Sequence, residues 1–480
     1  MSPRRLASVV FAVIEATGAA MLTASVVGLL YQEWSHAGRI AAAAAIVILA
    51  GEIGRRVIGV RGLLTIREGF AVIGLSWIAM TLVGTVPYLV TGSLHSFTDA
   101  LFEASSGFST TGASVVADPG MLSHAVVWWR ALSQWLGGLG AIVIAIAVVP
   151  MLGIGGLGVI DAEPGAHERR APRVRETARR LFLIYAGFTV LEAVILVFSD
   201  MSPFEAIANA FTTMSTGGFT TRAGSLEAFN AFAQWVTVLF MVIAGTSFAL
   251  HLRALRDPGG YLRRVEFRVY GAILGIAAAV LVVGLWSDGV GRAIRLGAFT
   301  AVSLVTTTGF TVTHPTTWSS GLQIAIVGLM FLGGMAGSAS GGIKTFRLAA
   351  VTNAARVDLR RMIHPLAVLR TRLGGTPMEP EVVGGARTFM LFYLLAFLAG
   401  TLLLGMIGSG MAAGDDLLTS ASAVASALGN VGPGLGAVAA PGGYASLPEA
   451  SRWVLSGLMI VGRLEIFPIA LLFTRGLWRR

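Results

Sequence analysis

Apolar runs of membrane-crossing length alternate with shorter mixed runs along almost the whole chain, and the alternation has an order. Two long runs come first, at residues 9–31 and 40–54. After them one pattern recurs four times: a long apolar run, a shorter amphipathic segment, a small polar stretch containing glycine, and a second long apolar run. In the first copy these parts fall at 70–91, 96–106, 110–112 and 125–152, and in the second at 181–198, 203–213, 215–218 and 232–252. The third uses 269–285, 292–305, 307–310 and a glycine-interrupted run at 322–351; the fourth uses 388–407, 416–428, 430–434 and 453–473. About 20 apolar residues cross the ~30 Å hydrocarbon core, whereas a helix of about 12 reaches a little over half of it. The pattern therefore predicts ten spans and four half-length helices. An internal repeat of this kind is one structural unit used several times.

The polar stretches carry the candidate chemistry. They read Ser109-Thr110-Thr111-Gly112, Met214-Ser215-Thr216-Gly217-Gly218-Phe219, Thr306-Thr307-Thr308-Gly309-Phe310 and the more diverged Gly429-Asn430-Val431-Gly432-Pro433. Aligned on Gly112, Gly217, Gly309 and Gly432, the copies are 105, 92 and 123 residues apart. Each half-helix runs into its stretch C-terminus first, bringing roughly half a negative charge to the middle of the membrane. Ser96 with Asp99, and Ser202-Pro203 with Glu205, supply N-terminal start signals of the capping-box type. Non-helical backbone at membrane depth is tolerated where it lines a water- or ion-filled path. Carbonyls and Thr or Ser hydroxyls offer the neutral oxygens that a dehydrated alkali cation needs, and glycine frees the backbone to aim them. Small residues that only let helices pack closely are the plainer explanation of one such stretch; four at matched positions favour an ion filter.

Composition turns the pattern into a class. The chain is 55% hydrophobic and 12% charged, against about a quarter charged in soluble proteins, so it is an all-α membrane protein. No cleavable signal pattern precedes the first run, and the absence of cysteine excludes disulfides and cysteine metal sites. The formal net charge of +10 comes from arginines that cluster by segment, which reports topology and not nucleic-acid binding. The N-terminus, the segments 55–67, 169–180, 253–268 and 347–387, and the C-terminal tail hold 27 arginines. The remaining seven are Arg39, Arg130, Arg222, Arg292, Arg295, Arg452 and Arg463. Positive charge collects on the cytoplasmic side, so both termini are expected inside and the four half-helices are expected to enter from outside.

Three further features bear on mechanism. Residues 333–342 hold five glycines in ten positions and end at Lys344, the only lysine; glycine costs ~1 kcal/mol per position in a helix, so an unwound segment lining the path is expected. Arg463, inside an apolar run, must face protein or water; it either ties to Glu465 or to carbonyls of the unwound segment, or repels cations. Glu103, on the first half-helix, reads as a hydrogen-bonded anchor behind the filter, and Asp118, Asp288, Asp415 and Asp416 as weak outer charges. A hydrolase finds no support, because neither His-Glu-x-x-His nor Gly-x-Ser-x-Gly occurs. A secondary carrier of a cation-coupled small solute is the alternative reading of repeats with broken helices.

The chain resembles the potassium-translocating subunits of the Trk/Ktr/HKT superfamily, and among them the bacterial TrkH type. The resemblance rests on the four stretches, on the run from Trp129-Arg130-Ala131-Leu132-Ser133-Gln134-Trp135 to Gly140, on the run from Gly333 to Lys344, and on Gly462-Arg463-Leu464-Glu465. It implies two leading transmembrane helices (1–66) and four helix-pore loop-helix repeats (67–160, 161–262, 263–352, 353–480) around one pseudo-fourfold pore. It implies a potassium filter at Thr110, Thr111 and Gly112; Ser215, Thr216 and Gly217; Thr307, Thr308 and Gly309; and Asn430, Val431 and Gly432. A glycine in every filter goes with potassium in the family, whereas serine in the first goes with sodium passage in some plant members. The fourth filter departs at Asn430 and Val431, which implies an asymmetric oxygen cage. The resemblance further implies a gate formed by the loop with Gly334, Gly337, Gly341, Gly342 and Lys344, together with Arg463. It also implies potassium as transported ion with no cofactor in this chain, a bacterial inner-membrane location, a homodimer, and a cytosolic ring of nucleotide-binding regulatory subunits.

Overall fold

The computed structural model describes residues 2–59, 64–147, 170–408, 413–439 and 441–478. Helices account for nearly all regular structure, and the strands among the described residues are a two-residue pair, Arg372–Leu373 with Thr376–Pro377. The helices are α1 (Pro3–Leu30), α2 (Trp34–Ile58), α3 (Ile66–Gly84), α4 (Val86–Thr91), α5 (Phe97–Phe108), α6 (His124–Ala147) and α7 (Arg170–Leu196). They continue with α8 (Pro203–Met214), α9 (Ala231–Ala244), α10 (Phe248–Ala254), α11 (Gly260–Arg263), α12 (Val265–Gly284), α13 (Val290–Val305) and α14 (Ser320–Leu329). The last are α15 (Thr345–Ile363), α16 (Pro380–Ile407), α17 (Ala413–Gly429), α18 (Glu449–Arg463), α19 (Phe467–Leu472) and α20 (Arg475–Trp478).

Burial is inverted relative to a water-soluble protein. Thr110, Thr111, Thr216, Thr307, Thr308 and Asn430 are completely buried at the centre, while Val57, Met406 and Val283 on long helices are 72–80% exposed. A periphery of apolar side chains around a polar centre is what a lipid solvent selects. Small residues set the close approach of α1 and α2: a Cβ on Gly18 or Gly51 would meet Val47 or the Glu15 backbone at about 2.9 Å.

Among the described residues five continuous helices are long and apolar enough to cross a membrane, α1, α2, residues 67–91, α12 and α16, and the bent pair α9–α10 makes a sixth candidate. Two expected spans are broken where the sequence pattern runs on. Residues 232–252 split between α9 and α10 with a bend of 96°, and 453–473 split between α18 and α19, with left-handed Glu465 and Ile466 at the break. The third break, between α14 and α15, falls on the glycine-rich run as the pattern predicts. The end of the expected 125–152 run, beyond 147, lies outside the described residues.

The start signals divide. Ser202 and Glu205 form a reciprocal capping box at α8, but Ser96 makes no side-chain cap at α5. Asp99 is one methylene shorter than the glutamate of a capping box, and its carboxylate pairs with Arg452 of α18 instead.

Candidate functional site

The four half-helices α5, α8, α13 and α17 end in the same way. One residue at each end is left-handed: Thr110 (φ 55°), Thr216 (54°), Thr307 (57°) and Asn430 (55°). Its N–H bonds back three residues, to Gly107, Thr213, Leu304 or Ala427, and the next N–H bonds back five, to Ser106, Thr212, Ser303 or Ser426. This is a Schellman turn made four times without glycine at the left-handed position. β-Branched threonine is a strained choice there, of the kind that concentrates at functional sites.

A glycine with positive φ follows two residues later in every copy: Gly112 (83°), Gly218 (76°), Gly309 (80°) and Gly432 (105°). The second copy is therefore one residue out of the expected register. Its geometric equivalent of Thr110-Thr111-Gly112 is Thr216-Gly217-Gly218, and Ser215 is the helix cap.

These glycines close a ring. A Cβ on Gly112 would fall within 2.5 Å of the Gly217 carbonyl oxygen, on Gly218 of Thr308 O, on Gly309 of Val431 O, and on Gly432 of Thr111 O. Four carbonyls, from residues 111, 217, 308 and 431, thus each abut the glycine of a neighbouring copy. Glycine is needed twice over, for its φ and for the space. Beyond the ring, a cavity of about 100 Å³ is lined by all four copies, through Gly112, Gly218, Gly309 and Gly432 among others.

Side chains behind the ring hold it. Gln134 of α6 donates to Gly217 O at 2.6 Å and accepts from Phe219 N at 3.1 Å, and its amide occupies the space a Gly217 side chain would need. Ser109 and Thr111 share a hydroxyl bond of 2.6 Å, and Thr306 and Thr308 one of 2.8 Å. The Asn430 amide donates to Thr111 Oγ1 (3.1 Å) and Met459 O (2.8 Å), joining the fourth copy to the first. Its Oδ1 and Thr110 Oγ1 have no hydrogen-bond partner among the described residues. Tyr444 donates to Gly432 O at 2.8 Å.

Glu103 forms a completely buried ion pair with Arg130 of α6 at 2.7 Å, and also accepts from Ser114 Oγ (3.0 Å) and Val115 N (3.2 Å). The guanidinium lies 4.2 Å over the Phe219 ring. Glu103→Gln removes the charge and strands the guanidinium, and one-sided loss of a buried pair costs ~3–5 kcal/mol. A drop in the thermal unfolding midpoint in detergent, partly restored in E103Q/R130Q, is expected; an E103Q midpoint equal to wild type removes the anchor role.

On the other side of the ring lies the glycine-rich segment. Gly341 N donates to Thr307 Oγ1 at 2.7 Å, and a Cβ on Gly341 would meet Gly429 O at 2.5 Å and Asn430 Cβ at 2.8 Å. The segment lies directly against the helix ends. Its own backbone is satisfied by the breaks in neighbouring helices: Met335 N donates to Gly245 O (2.9 Å), Ala339 N to Ala244 O (3.3 Å), and Phe248 N to Gly337 O (3.0 Å). Glu266 of α12 accepts from Ala336 N at 2.7 Å. The α9–α10 break, at Gly245-Thr246-Ser247, thus exposes the backbone groups that the loop requires.

Lys344, 7% exposed, donates to Ser340 O and, at 3.4 Å, to Ser340 Oγ. Arg463 donates to Ala339 O (2.7 Å) and Gly137 O (3.0 Å). It is tied to carbonyls, and Glu465 pairs with Arg347 instead. Gly334 and Gly333 sit where a Cβ would meet Gly245 O and Gly341 O, and Gly337 and Gly342 take positive φ. Asp118 caps its own turn through Gly120 N (2.9 Å), and the side chains of Asp288 and Asp415 lie outside the described residues.

A family model described as TrkH, cation transport protein, matches residues 41–268 and 285–478. The Trk system potassium uptake protein TrkH of Vibrio parahaemolyticus is 36% identical over 430 residues, 86% of each chain. Its namesake from Escherichia coli is 35% identical over 87% of each. The crystal structure of the potassium transporter TrkH from Vibrio parahaemolyticus covers 100% of both chains with a TM-score of 0.90 at 33% identity.

Proposed function

Since the chain belongs to the TrkH family of cation transport proteins, we propose that it conducts potassium into a bacterial cell through the ring of carbonyls at residues 111, 217, 308 and 431. It is a transport protein and not an enzyme. The observation that carries this reading is the closed ring itself, in which each carbonyl of one copy abuts a positive-φ glycine of the next. Four helix C-termini converge there, and partial negative charge favours a cation. Neutral carbonyls with fixed backbones replace the hydration shell of an alkali ion. Among the described residues no group of three or more His, Asp or Glu is arranged to hold a divalent metal.

The filter then comprises Thr110-Thr111-Gly112, Thr216-Gly217-Gly218, Thr307-Thr308-Gly309 and Asn430-Val431-Gly432. The glycine-rich loop, with Gly334, Gly337, Gly341, Gly342 and Lys344, is the closed gate beneath it. Arg463 secures that gate through Ala339 O. The inner membrane, cytoplasmic termini, a homodimer and a nucleotide-binding regulatory ring complete the proposal; the arginine count supports the orientation, and family resemblance supports the partners. Expression in cells lacking their own potassium uptake tests it. Growth on micromolar potassium is expected, and failure to grow despite membrane insertion contradicts potassium uptake.

A further inference from the structure

Five side chains around one groove at the outer ends of α9 and α13 point to a second ligand besides the transported ion. The groove is a cavity of about 500 Å³ whose wall includes Glu227, Gln234, Trp235, Arg292 and Arg295. Of the seven arginines outside the inner segments, five are engaged: Arg39 with Val90 O, Arg130 with Glu103, Arg222 with Glu205, Arg452 with Asp99, and Arg463 with carbonyls. Arg292 and Arg295 have no hydrogen-bond or ion-pair partner among the described residues. They stand i, i+3 on the first two turns of α13, neighbours on one face, and both line this same cavity.

Two neighbouring guanidiniums with no ion-pair partner among the described residues suit a phosphate, which arginine recognises with paired hydrogen bonds. The start of α13 adds partial positive charge. A Cβ on Gly291 would meet nothing within 4 Å, so the approach is open. The rest of the wall is of the opposite character. Gln234, 6% exposed, turns its amide nitrogen to Leu226 O and Phe229 O and leaves Oε1 without a partner. Glu227 is half exposed, with His314 Nε2 3.6 Å away. These are acceptors for a donor-bearing cation. The depth is that of a membrane surface, because Phe232, Trp235 and Trp286 nearby are 43–56% exposed, as aromatic residues of the interfacial belt are.

We infer that this groove binds the phosphoethanolamine headgroup of a membrane phospholipid, with phosphate on Arg292 and Arg295 and ammonium on Glu227 and the Gln234 carbonyl. A phosphocholine headgroup offers the same phosphate but no N–H donor, so it separates the two halves of the site. A free phosphate ester shares the headgroup chemistry without acyl chains and separates the two sources.

Native mass spectrometry of the delipidated full-length protein, titrated with phosphatidylethanolamine or phosphatidylcholine, tests this. One tightly held phosphatidylethanolamine is expected, at least fivefold tighter than phosphatidylcholine. R292Q/R295Q should weaken it at least tenfold, E227Q should bring the two lipids within about twofold, and R39Q, loss of a single arginine charge elsewhere, should leave both unchanged. Equal affinities in wild type, or an arginine variant that binds as wild type does, overturns the site. Displacement by millimolar glycerophosphoethanolamine as effectively as by lipid overturns the lipid assignment. Should R292Q/R295Q fail to fold, brominated-chain phosphatidylethanolamine reads the wild type directly. Saturable quenching of tryptophan emission whose amplitude W235F reduces supports the groove, and a W235F amplitude equal to that of wild type overturns it.

Discussion

Gly309→Ala abolishes rubidium uptake into proteoliposomes, to below about 1% of wild type. Gly309 has φ 80°, a conformation that costs an L-residue roughly 1–2 kcal/mol. The larger effect is local overlap. The added methyl falls within 2.5 Å of Val431 O, at 2.8 Å from Pro433 Cδ and at 2.9 Å from Val431 C. No flexible side chain is there to yield, so the Val431 carbonyl must turn and leave the ring with three of its four oxygens. A hundredfold loss corresponds to ~2.7 kcal/mol, which one displaced ion ligand in a dry site readily supplies. Gly328→Ala is the matched control, because its Cβ would meet nothing within 4 Å. G309A that elutes and melts as wild type yet transports normally removes Val431 O from the ion path.

Deleting residues 336–338 acts in the opposite direction and raises uptake roughly a hundredfold in protein reconstituted alone. The loop is pinned by Ala336 N to Glu266, by Gly337 O to Phe248 N, and by Ser338 Oγ to Met335 O at 2.6 Å and to Ser340 Oγ at 2.7 Å. Each hydrogen bond contributes about 1 kcal/mol net. Loss of about three of them shifts a closed-to-open equilibrium by ~3 kcal/mol, near a hundredfold in the open population. Arg463→Gln removes the ties to Ala339 O and Gly137 O and should give a smaller increase of the same sign. Initial rates of rubidium-86 entry read both variants. Uptake at or below the wild-type rate in the deletion, with potassium selectivity intact, rules the loop out as the barrier.

The sequence disclosed the four half-helices because their ends are chemically unlike the apolar runs around them. Serine, threonine, asparagine and glycine at membrane depth stand out in any window. It could not fix the register of the second copy. Ser215-Thr216-Gly217-Gly218 contains two adjacent glycines, and only φ separates Gly218, at 76°, from Gly217, whose side-chain space Gln134 fills. The breaks at 245–247 and 464–466 were hidden for a different reason. Each lies in a run that is apolar overall on both sides of a short polar interruption, Gly245-Thr246-Ser247 or Glu465, and at the first the freed carbonyls of Ala244 and Gly245 accept from a distant loop. Left-handed Ile466 (φ 66°) is a conformation that no local preference of a β-branched residue announces. The same long-range competition took Asp99 from Ser96 to Arg452, 353 residues away, and Glu465 from Arg463 to Arg347. Glu103 was legible as an anchor, but its partner was not, since Arg130 of α6 lies 27 residues further along the chain and only the packing of α5 on α6 brings the two together.

The ring of carbonyls is tested most directly by rubidium-86 uptake into proteoliposomes of the wild-type protein with potassium or sodium as competitor. Strong competition by potassium at concentrations where sodium has little effect is the predicted result. Equal competition by the two ions, or no saturable rubidium entry even when residues 336–338 are deleted, would contradict a potassium-selecting ring.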